Sequence, residues 1–522
     1  MRDYLVRTQD NYELHVHRLI HPEDLMANPA VPGKPFRLMK KKKPFLLVHG
    51  LIGSSAGWLT NLDPTFRAPT KSYDARSEFF GILKASADEY RYEWHSTASL
   101  LRRTSNKEKV NKFFDKNRKF AISLELQFDG DHMNFARQYR QAYKKFTLPK
   151  ASLDHTTNSL AVTLSNFGYD VWLINLRGNK YSRDFHGPMS AERVEYWDFN
   201  MESIITHDLP ATINYIKREV GQGEDEPIGL VTYSYSAAYA LGLLTKFPRY
   251  QQTLRPLVMM APTLLTGTND RGAMGYFLGF SNLLMSKNGP FPVWSRDNRS
   301  KSSLSSVETN VKKLACSIPA ASKFCRLLET LILGKSKDVT DVKRLFVSGR
   351  TTSLLHKDLD CGQTSKAIVH QFIKNLERAN IDPNFQPFVP AKQSRMAQPG
   401  KAQPALPSIM ILHSASDTIS TLDEVARIRD TATKTLTLTD YQILERGFEH
   451  TDFLFSQHNQ YLVNAEVARM VLVHDYLSDS LREAEQQQLQ LQFRQPRELN
   501  PGAQLSPSRQ DPYSPIETKP FH

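Results

Sequence analysis

The stretch Ile228–Gly242, IGLVTYSYSAAYALG, joins a short apolar run, a tight turn and a helical pattern, with Ser234 at the turn. This is the local pattern of a nucleophile elbow, in which a buried strand ends at a serine and a helix follows at once. The usual elbow has the form G-x-S-x-G. Here Thr232 and Ser236 occupy the two glycine positions. The stretch therefore predicts an elbow but leaves open whether Ser234 is a working nucleophile.

Other apolar runs of strand length lie on both sides of this stretch, with helical patterns between several of them. The runs are 44–50, 169–179, 228–232, 255–262 and 408–414, with a further candidate at 441–445. A hairpin is expected over 4–19, and helices are expected over 158–168 and 208–221. Continuous apolar runs are typical of strands that are buried on both faces of a parallel sheet. Their alternation with helices predicts an α/β fold.

Three segments depart from this alternation and divide the chain. We expect a core made of 1–64, 158–262 and 405–475. Between its first two parts lies a basic insert, 65–157, and between the last two lies a cap or lid, 263–404, which ends in a linker rich in Pro, Gly and Gln. The tail, 476–522, begins with a helix rich in Glu and Gln and ends in a composition typical of disorder.

Composition sets further limits. The net charge is +13, and more than half of this excess lies in 67–154, while the run Lys40–Lys43 is typical of solvated surface. Charge alone supports a nucleic-acid partner, and no binding motif accompanies it. The three cysteines form no C-x-x-C pair, and no apolar run reaches the length of a membrane span. We expect no metal, no cofactor, no nucleic acid and no transmembrane segment.

Four features that acyl transfer requires occur in chain order at the ends of predicted strands. The loop 48–58 follows the first core strand, Ser234 follows the third, and Asp417 and His450 follow the last two. A serine hydroxyl needs a base to take its proton, which is the role expected for His450, with Asp417 orienting the imidazole. The backbone N–H groups of Leu51 and Tyr235 are the expected donors to the oxyanion.

Each feature also has an ordinary structural interpretation. A His-Gly pair after a strand can be a plain turn, and Ser234 can be a helix N-cap. Asp417 can cap the helix that begins near residue 421, and His450 can be a buried histidine with a satisfied hydrogen bond. His15 and His17 share a strand face, but their spacing implies no third metal ligand. The order of the four features favours the catalytic interpretation.

Several stretches resemble the acid lipases, the gastric and lysosomal family of the α/β-hydrolase fold. They are RDYLVRTQDNYELHVHRLIH, FLLVHGLIGSSAGWLTN, SLAVTLSNFGYDVWLINLRGNKYSR, SASDTISTLDEVARI and FEHTDFLF, with ACSIPAASKFC in the cap. The resemblance implies a mostly parallel sheet under a helical cap, with Ser234 as nucleophile, Asp417 as acid and His450 as base. It also implies oxyanion amides at Leu51 and Tyr235 and a Cys316–Cys325 disulfide.

The activity implied is hydrolysis of neutral lipid esters, acylglycerols or sterol esters, through an acyl-enzyme at a membrane or droplet surface. The alternative is a catalytically impaired homologue that binds a lipid or a protein partner. The family is secreted or lysosomal, whereas this chain shows no signal peptide. The resemblance does not extend to 65–157, for which a solvated elaboration, an anionic lipid contact and a protein partner all remain open.

The departure from the family pattern G-H-S-Q-G lies at the elbow itself. We expect Thr232 and Ser236 to fit, because their side chains are small or lie on the strand side of the turn. Tyr233 and Tyr235 are larger. The ring of Tyr235 is expected either to narrow the pocket or to present its hydroxyl to it.

Overall fold

The computed structural model describes most of the core and short pieces elsewhere. The described residues are 1–27, 41–61 except 52 and 60, 155–264, 408–432, 437–443 and 447–475 except 457, together with 69, 71–72, 292–293, 364–365, 367–368 and 478. All of them belong to one unit, Met1–Ser478. The Cys316–Cys325 pair, nearly all of the basic insert and the cap, and almost the whole tail lie outside the described residues.

Eleven strands are found among these residues. They are β1 (Arg2–Arg7), β2 (Tyr12–Leu19), β3 (Pro44–Val48), β4 (Asp170–Ile174), β5 (Asp184–Phe185), β6 (Ile228–Tyr233), β7 (Leu254–Met260), β8 (Pro292–Val293), β9 (Thr364–Ser365), β10 (Ser408–Ser414) and β11 (Thr437–Ile443). Every apolar run that predicted a strand overlaps one. The last strand ends near its predicted position but begins four residues earlier than the candidate run.

The main sheet has the order β1-β2-β4-β3-β6-β7-β10-β11, with β5 paired to β2. The first two strands form an antiparallel hairpin, and β2 is antiparallel to β4. From β4 to β11 all neighbouring strands are parallel. With β5 set aside, this is the order of an α/β-hydrolase sheet, so the predicted fold class is confirmed. Strands β8 and β9 form a separate antiparallel pair.

The helices alternate with the parallel strands. They are α1 (Pro22–Ala27), α2 (Leu160–Asn166), α3 (Met201–Ser203), α4 (Leu209–Glu219), α5 (Ser236–Lys246), α6 (Arg249–Thr253), α7 (Leu422–Ala432), α8 (Asp452–Phe455) and α9 (465–475). A wide π turn, Ile204–Asp208, joins α3 to α4, and a second one, Gln460–Asn464, leads into α9. No helix in the described part of the chain is long and apolar enough to cross a membrane.

The parallel strands are apolar throughout because both faces of the sheet are covered. On one face, Leu46 and Val48 pack in a core cluster with residues of α4, α5 and α7. On the other face, Phe45 and Leu47 pack with α2 and α9. Successive side chains of a strand point to opposite faces, so a strand between two helical layers has no polar side.

Two buried arginines connect the hairpin to the rest of the sheet. The Arg18 guanidinium donates two hydrogen bonds to the Asp170 carboxylate, at 2.8 and 2.9 Å. Arg177, just after β4, donates to both Asp10 in the hairpin turn and Asp208 at the start of α4. Removal of one partner from such a pair would leave a buried charge without compensation, which is strongly destabilising.

The lysine run before β3 is not the solvated surface that its composition suggested. Lys41 is exposed and pairs with Glu226, but Lys42 and Lys43 are largely buried. Lys42 binds Asp24 of α1 and Lys43 binds Asp475 at the end of α9. The expectation was wrong for these two residues because both partners are distant in sequence, and sequence patterns do not reveal such pairs.

Candidate active site

The four predicted features meet at one edge of the sheet. Strands β3, β6, β10 and β11 are parallel, so their carboxyl ends lie together. The loops that leave these ends carry Leu51, Ser234, Asp417 and His450 in that order. Crevices beyond the carboxyl ends of parallel strands are where open α/β sheets bind ligands. The topology alone therefore places these residues where chemistry is expected.

Ser234 occupies the sharp turn between β6 and α5, with a backbone φ of 60°. A positive φ costs free energy for a residue with a side chain, so the surrounding structure must hold it. The Ser234 N–H donates to the Met260 carbonyl at 3.0 Å, and the Ser234 carbonyl accepts from the Thr263 N–H at 3.2 Å. Both partners lie at the end of β7. The neighbouring strand thus fixes the strained peptide units on either side of the serine.

The two residues at the glycine positions of the elbow fit without distortion. Thr232 is buried in β6, where its hydroxyl lies 3.4 Å from the Val258 carbonyl. The Ser236 hydroxyl accepts from the Tyr233 N–H at 2.8 Å and lies within donating distance of the carbonyls of Val48 and Tyr233. The Ser236 hydroxyl therefore stabilises the turn through its contacts with the Tyr233 backbone and links the turn to β3 through the Val48 carbonyl.

Ser234, His450 and Asp417 form a continuous hydrogen-bonded chain. The Ser234 Oγ lies 2.7 Å from His450 Nε2, and His450 Nδ1 lies 2.9 Å from Asp417 Oδ2. The imidazole and the carboxylate are both buried. Since a carboxylate only accepts, His450 Nδ1 carries the proton and Nε2 is left to accept from the serine hydroxyl. This is the geometry that transfer of the serine proton requires.

The loops that carry the acid and the histidine are held by further hydrogen bonds. Asp417 Oδ1 accepts the N–H groups of Ile419 and Ser420, each at 2.8 Å. Beside it, the buried Glu449 carboxylate lies 3.3 Å from the Thr418 N–H and 3.2 Å from the Thr418 hydroxyl. Because Glu449 immediately precedes His450, this contact joins the acid loop directly to the histidine loop.

The loop after β3 is oriented by His49. Its Nδ1 lies 2.7 Å from the Gly50 carbonyl oxygen, while Nε2 accepts from the Leu176 N–H at 3.1 Å. Burial lowers the pKa of His49 to about 4, so the ring is neutral near pH 7 and Nδ1 donates to Gly50. The Gly50 carbonyl and the Leu51 N–H belong to one planar peptide, so the side chain of His49 also fixes the direction of that N–H.

Gly50 is required by a close approach to the elbow. A Cβ built on Gly50 would lie 3.1 Å from the Ser234 Cβ and 3.4 Å from the Tyr233 ring. The loop after β3, called the oxyanion loop here for the amide it is expected to supply, therefore lies directly against the serine.

The two tyrosines of the elbow do not behave alike. The Tyr235 ring is buried in the core against Tyr239, with its hydroxyl 3.4 Å from the Met201 sulfur. The start of α5 directs this side chain into the core, where its hydroxyl contacts Met201. The cap expected to form the pocket lies outside the described residues, so the expectation about the pocket stays a prediction. Tyr233, in contrast, contacts His450.

His15 and His17 are held by a carboxylate on the neighbouring strand. His15 Nδ1 lies 2.6 Å from Asp3 Oδ2, and His17 Nε2 lies 3.6 Å from the other oxygen of Asp3. His17 Nδ1 also lies 2.8 Å from the Ser55 hydroxyl. The described residues contain no group of three or more His, Cys, Asp or Glu side chains that could hold a metal ion.

Three residues of the site have roles that the sequence did not indicate: His49, Tyr233 and Glu449. Tyr233 contacts the predicted residue His450, whereas His49 and Glu449 contact Gly50 and Thr418, the chain neighbours of Leu51 and Asp417. The sequence offers one indication of these roles: each of the three residues is next in the chain to Gly50, Ser234 or His450. Adjacency alone does not separate an orienting side chain from an ordinary buried one.

The comparisons with known proteins agree with this topology over part of the chain. Residues 1–62 match a family model described as a partial alpha/beta-hydrolase lipase region. Over 107 residues, 20% of this chain, it is 37% identical to a gastric triacylglycerol lipase and 35% identical to a lysosomal acid lipase/cholesteryl ester hydrolase, both of Rattus norvegicus. It is 36% identical to human lipase member K over the same length. The matched stretch spans 26% of each relative, so the chain covers about a quarter of their length.

Among solved structures, the chain is similar to a monoacylglycerol lipase of Paleococcus ferrophilus. The TM-score is 0.34 with 13% identity, covering 60% of this chain and 88% of that one. An aryl esterase of Burkholderia cenocepacia gives a TM-score of 0.38 with 11% identity, covering 90% and 99%. The strand order, the elbow and the matched stretches together identify an α/β-hydrolase fold with sequence similarity to the acid lipases.

Proposed function

We propose that this chain is a serine carboxylic ester hydrolase that cleaves neutral lipid esters, acylglycerols or sterol esters, through an acyl-enzyme. The observation that carries the proposal is the hydrogen-bonded chain from Ser234 through His450 to Asp417 at the carboxyl edge of the sheet. Similarity to triacylglycerol and cholesteryl ester lipases supports the substrate class.

The reaction follows from the positions of these groups. The Ser234 Oγ attacks the ester carbonyl as its proton passes to His450 Nε2, and Asp417 stabilises the imidazolium that forms. Negative charge on the carbonyl oxygen would be met by the N–H groups of Leu51 and Tyr235. His450 then gives its proton to the departing alcohol, which leaves an acyl group on Ser234. Water, deprotonated by His450, attacks the acyl carbon; the bond from the acyl carbon to Ser234 Oγ then breaks, His450 returns the proton to Oγ, and the fatty acid is released.

The second candidate function is lipid binding without turnover, and the observation in its favour is the replacement of both elbow glycines. The geometry of Thr232 and Ser236 argues against it, because both side chains fit and the serine still reaches His450. A protein that had lost its catalytic role would have no need of the strained backbone at Ser234.

The two candidate functions, ester hydrolysis and lipid binding without turnover, are distinguished by measuring fatty acid release from a medium-chain triacylglycerol and from a sterol ester. We expect turnover by the parent and a loss of at least ~10³-fold in Ser234→Ala, as for other serine nucleophiles. Ser190→Ala is the matched control, since Ser190 is exposed and distant in sequence from the elbow. A folded parent that binds a fluorescent lipid but releases no fatty acid from either ester would contradict the hydrolase proposal.

A further inference from the structure

Tyr233 joins the nucleophile segment directly to the histidine loop. It is the last residue of β6 and is bonded to Ser234 through the peptide chain. Its hydroxyl donates to the backbone carbonyl of His450 at 3.0 Å, in a buried contact. Its ring also lies beside the imidazole, with centroids 5.2 Å apart and planes tilted by 32°. One side chain thus contacts both the main chain and the ring of His450.

The other side of Tyr233 is fixed by the oxyanion loop. Trp58, at the end of that loop, packs edge-on against the Tyr233 ring with centroids 6.4 Å apart. Gly50 lies against the same ring, since a Cβ there would come within 3.4 Å of Tyr233 Cδ1. Only 8% of Tyr233 is exposed. The phenol therefore has a fixed position between the oxyanion loop and the base.

We propose that Tyr233 is a positioning residue for His450, an inference that rests on the proposed ester hydrolase function. The hydroxyl bond holds the His450 backbone at a set distance from Ser234, because it runs to the His450 carbonyl from Tyr233, the residue that precedes Ser234. The ring face stabilises the imidazolium that forms when His450 accepts the Ser234 proton, as aromatic faces do for cations within about 6 Å. Tyr233 acts on the reaction through its contacts with His450.

Two variants separate these contributions. Tyr233→Phe removes the hydroxyl and keeps the ring, whereas Tyr233→Leu removes both. The matched control is Tyr169→Phe. Tyr169 is also a buried tyrosine, packed against Phe45 and donating to Asp475 at 3.0 Å, but it precedes β4 at the opposite end of the sheet from the site. It has the same chemistry without the contact to His450.

Steady-state kinetics and proton NMR provide the readouts. We expect kcat to fall ~10-fold in Tyr233→Phe and further in Tyr233→Leu, with KM unchanged, because misplacement of a base acts on the chemical step. The low-field proton signal of the His450 Nδ1–H, identified by its loss in Asp417→Asn, should broaden in both Tyr233 variants. Tyr169→Phe should change neither kcat nor this signal.

The proposal is overturned if Tyr233→Phe keeps the parent kcat and a sharp low-field signal, or if Tyr169→Phe loses as much. Tyr233→Phe lacks only one oxygen atom and is expected to fold. It therefore tests the positioning role of Tyr233 even if Tyr233→Leu does not fold. If the parent hydrolyses no ester, the proposed function fails separately. The NMR signal still shows whether Tyr233 holds His450 in place, since it requires no turnover.

Discussion

Ser236 shows how a single side chain can replace the glycine that an elbow usually requires. Glycine is favoured there because strand and helix approach closely, which leaves little room for a Cβ. In this chain the strand and the helix are close enough for the Ser236 hydroxyl to make two contacts. It accepts a hydrogen bond from the Tyr233 N–H and lies 3.0 Å from the Val48 carbonyl of β3. The residue is fully buried, and its polar atom has partners in both directions.

Restoring the usual glycine should therefore destabilise the protein. We expect both Ser236→Gly and Ser236→Ala to lower the free energy of unfolding by about 1–3 kcal/mol, because buried polar groups of the backbone lose their partner. Urea denaturation of the two variants and the parent measures this. An increase in stability in Ser236→Gly would show that the hydroxyl is only tolerated and that its hydrogen bonds contribute nothing.

At the scale of elements, the site depends on two loops that leave neighbouring strands and hold each other. The acid loop follows β10 and the histidine loop follows β11. Glu449 joins them through Thr418, one residue beyond Asp417. The Gly447 N–H adds a second link by donating to the Ser416 hydroxyl at 2.9 Å. The two links flank Asp417 in the chain and both reach the segment just before His450, so they help to set the distance between His450 and Asp417.

Loss of the Glu449 side chain should reduce activity without removing a reacting group. We expect kcat to fall ~10-fold in Glu449→Ala, because His450 and Asp417 would lose their common anchor. Glu449→Gln keeps an acceptor oxygen for Thr418 and should retain most of the activity. Ester hydrolysis by both variants provides the comparison. Equal losses in the two would indicate that the charge of Glu449, and not its hydrogen bonds, is what matters.

For the whole molecule, buried histidines make the free energy of unfolding depend on pH in mild acid. Burial lowers the pKa of both His49 and His474 to about 4, against about 6.5 in the unfolded chain. His17 and His21 shift in the same direction, also because of burial. Below pH 6.5 the unfolded state binds protons that the folded state does not, so stability falls as the pH falls.

We therefore expect the free energy of unfolding to decrease between pH 6.5 and pH 4, with roughly 3 kcal/mol from each of His49 and His474. Above pH 6.5 neither residue contributes a pH dependence. Urea denaturation at several pH values tests this, and His474→Gln should show a shallower slope than the parent. A stability that stays level or rises toward pH 4 would contradict the assignment of neutral buried histidines.

Much of the framework was accessible from sequence because it depends on local patterns. Continuous apolar runs located the parallel strands, and the parallel arrangement of those strands brings the loops with Leu51, Ser234, Asp417 and His450 to one sheet edge. What sequence could not reveal depends on distant contacts. The pairing of Lys43 with Asp475 and the inward turn of Tyr235 both follow from how separate elements meet. The usual elbow form G-x-S-x-G also gave no indication of the role of Ser236, because it reflects the space available at that position and not the hydrogen bonds a side chain can make there.

Covalent trapping decides whether Ser234 is an activated nucleophile. A p-nitrophenyl alkylphosphonate reacts with such a serine, releasing p-nitrophenol and leaving a stable phosphonyl ester on Oγ. Mass spectrometry of the intact protein and of its peptides should show one adduct per chain, on Ser234, that forms at least ~10³-fold more slowly in His450→Gln. A folded parent that stays unlabelled, or that carries the adduct on another serine such as Ser236, would contradict the account.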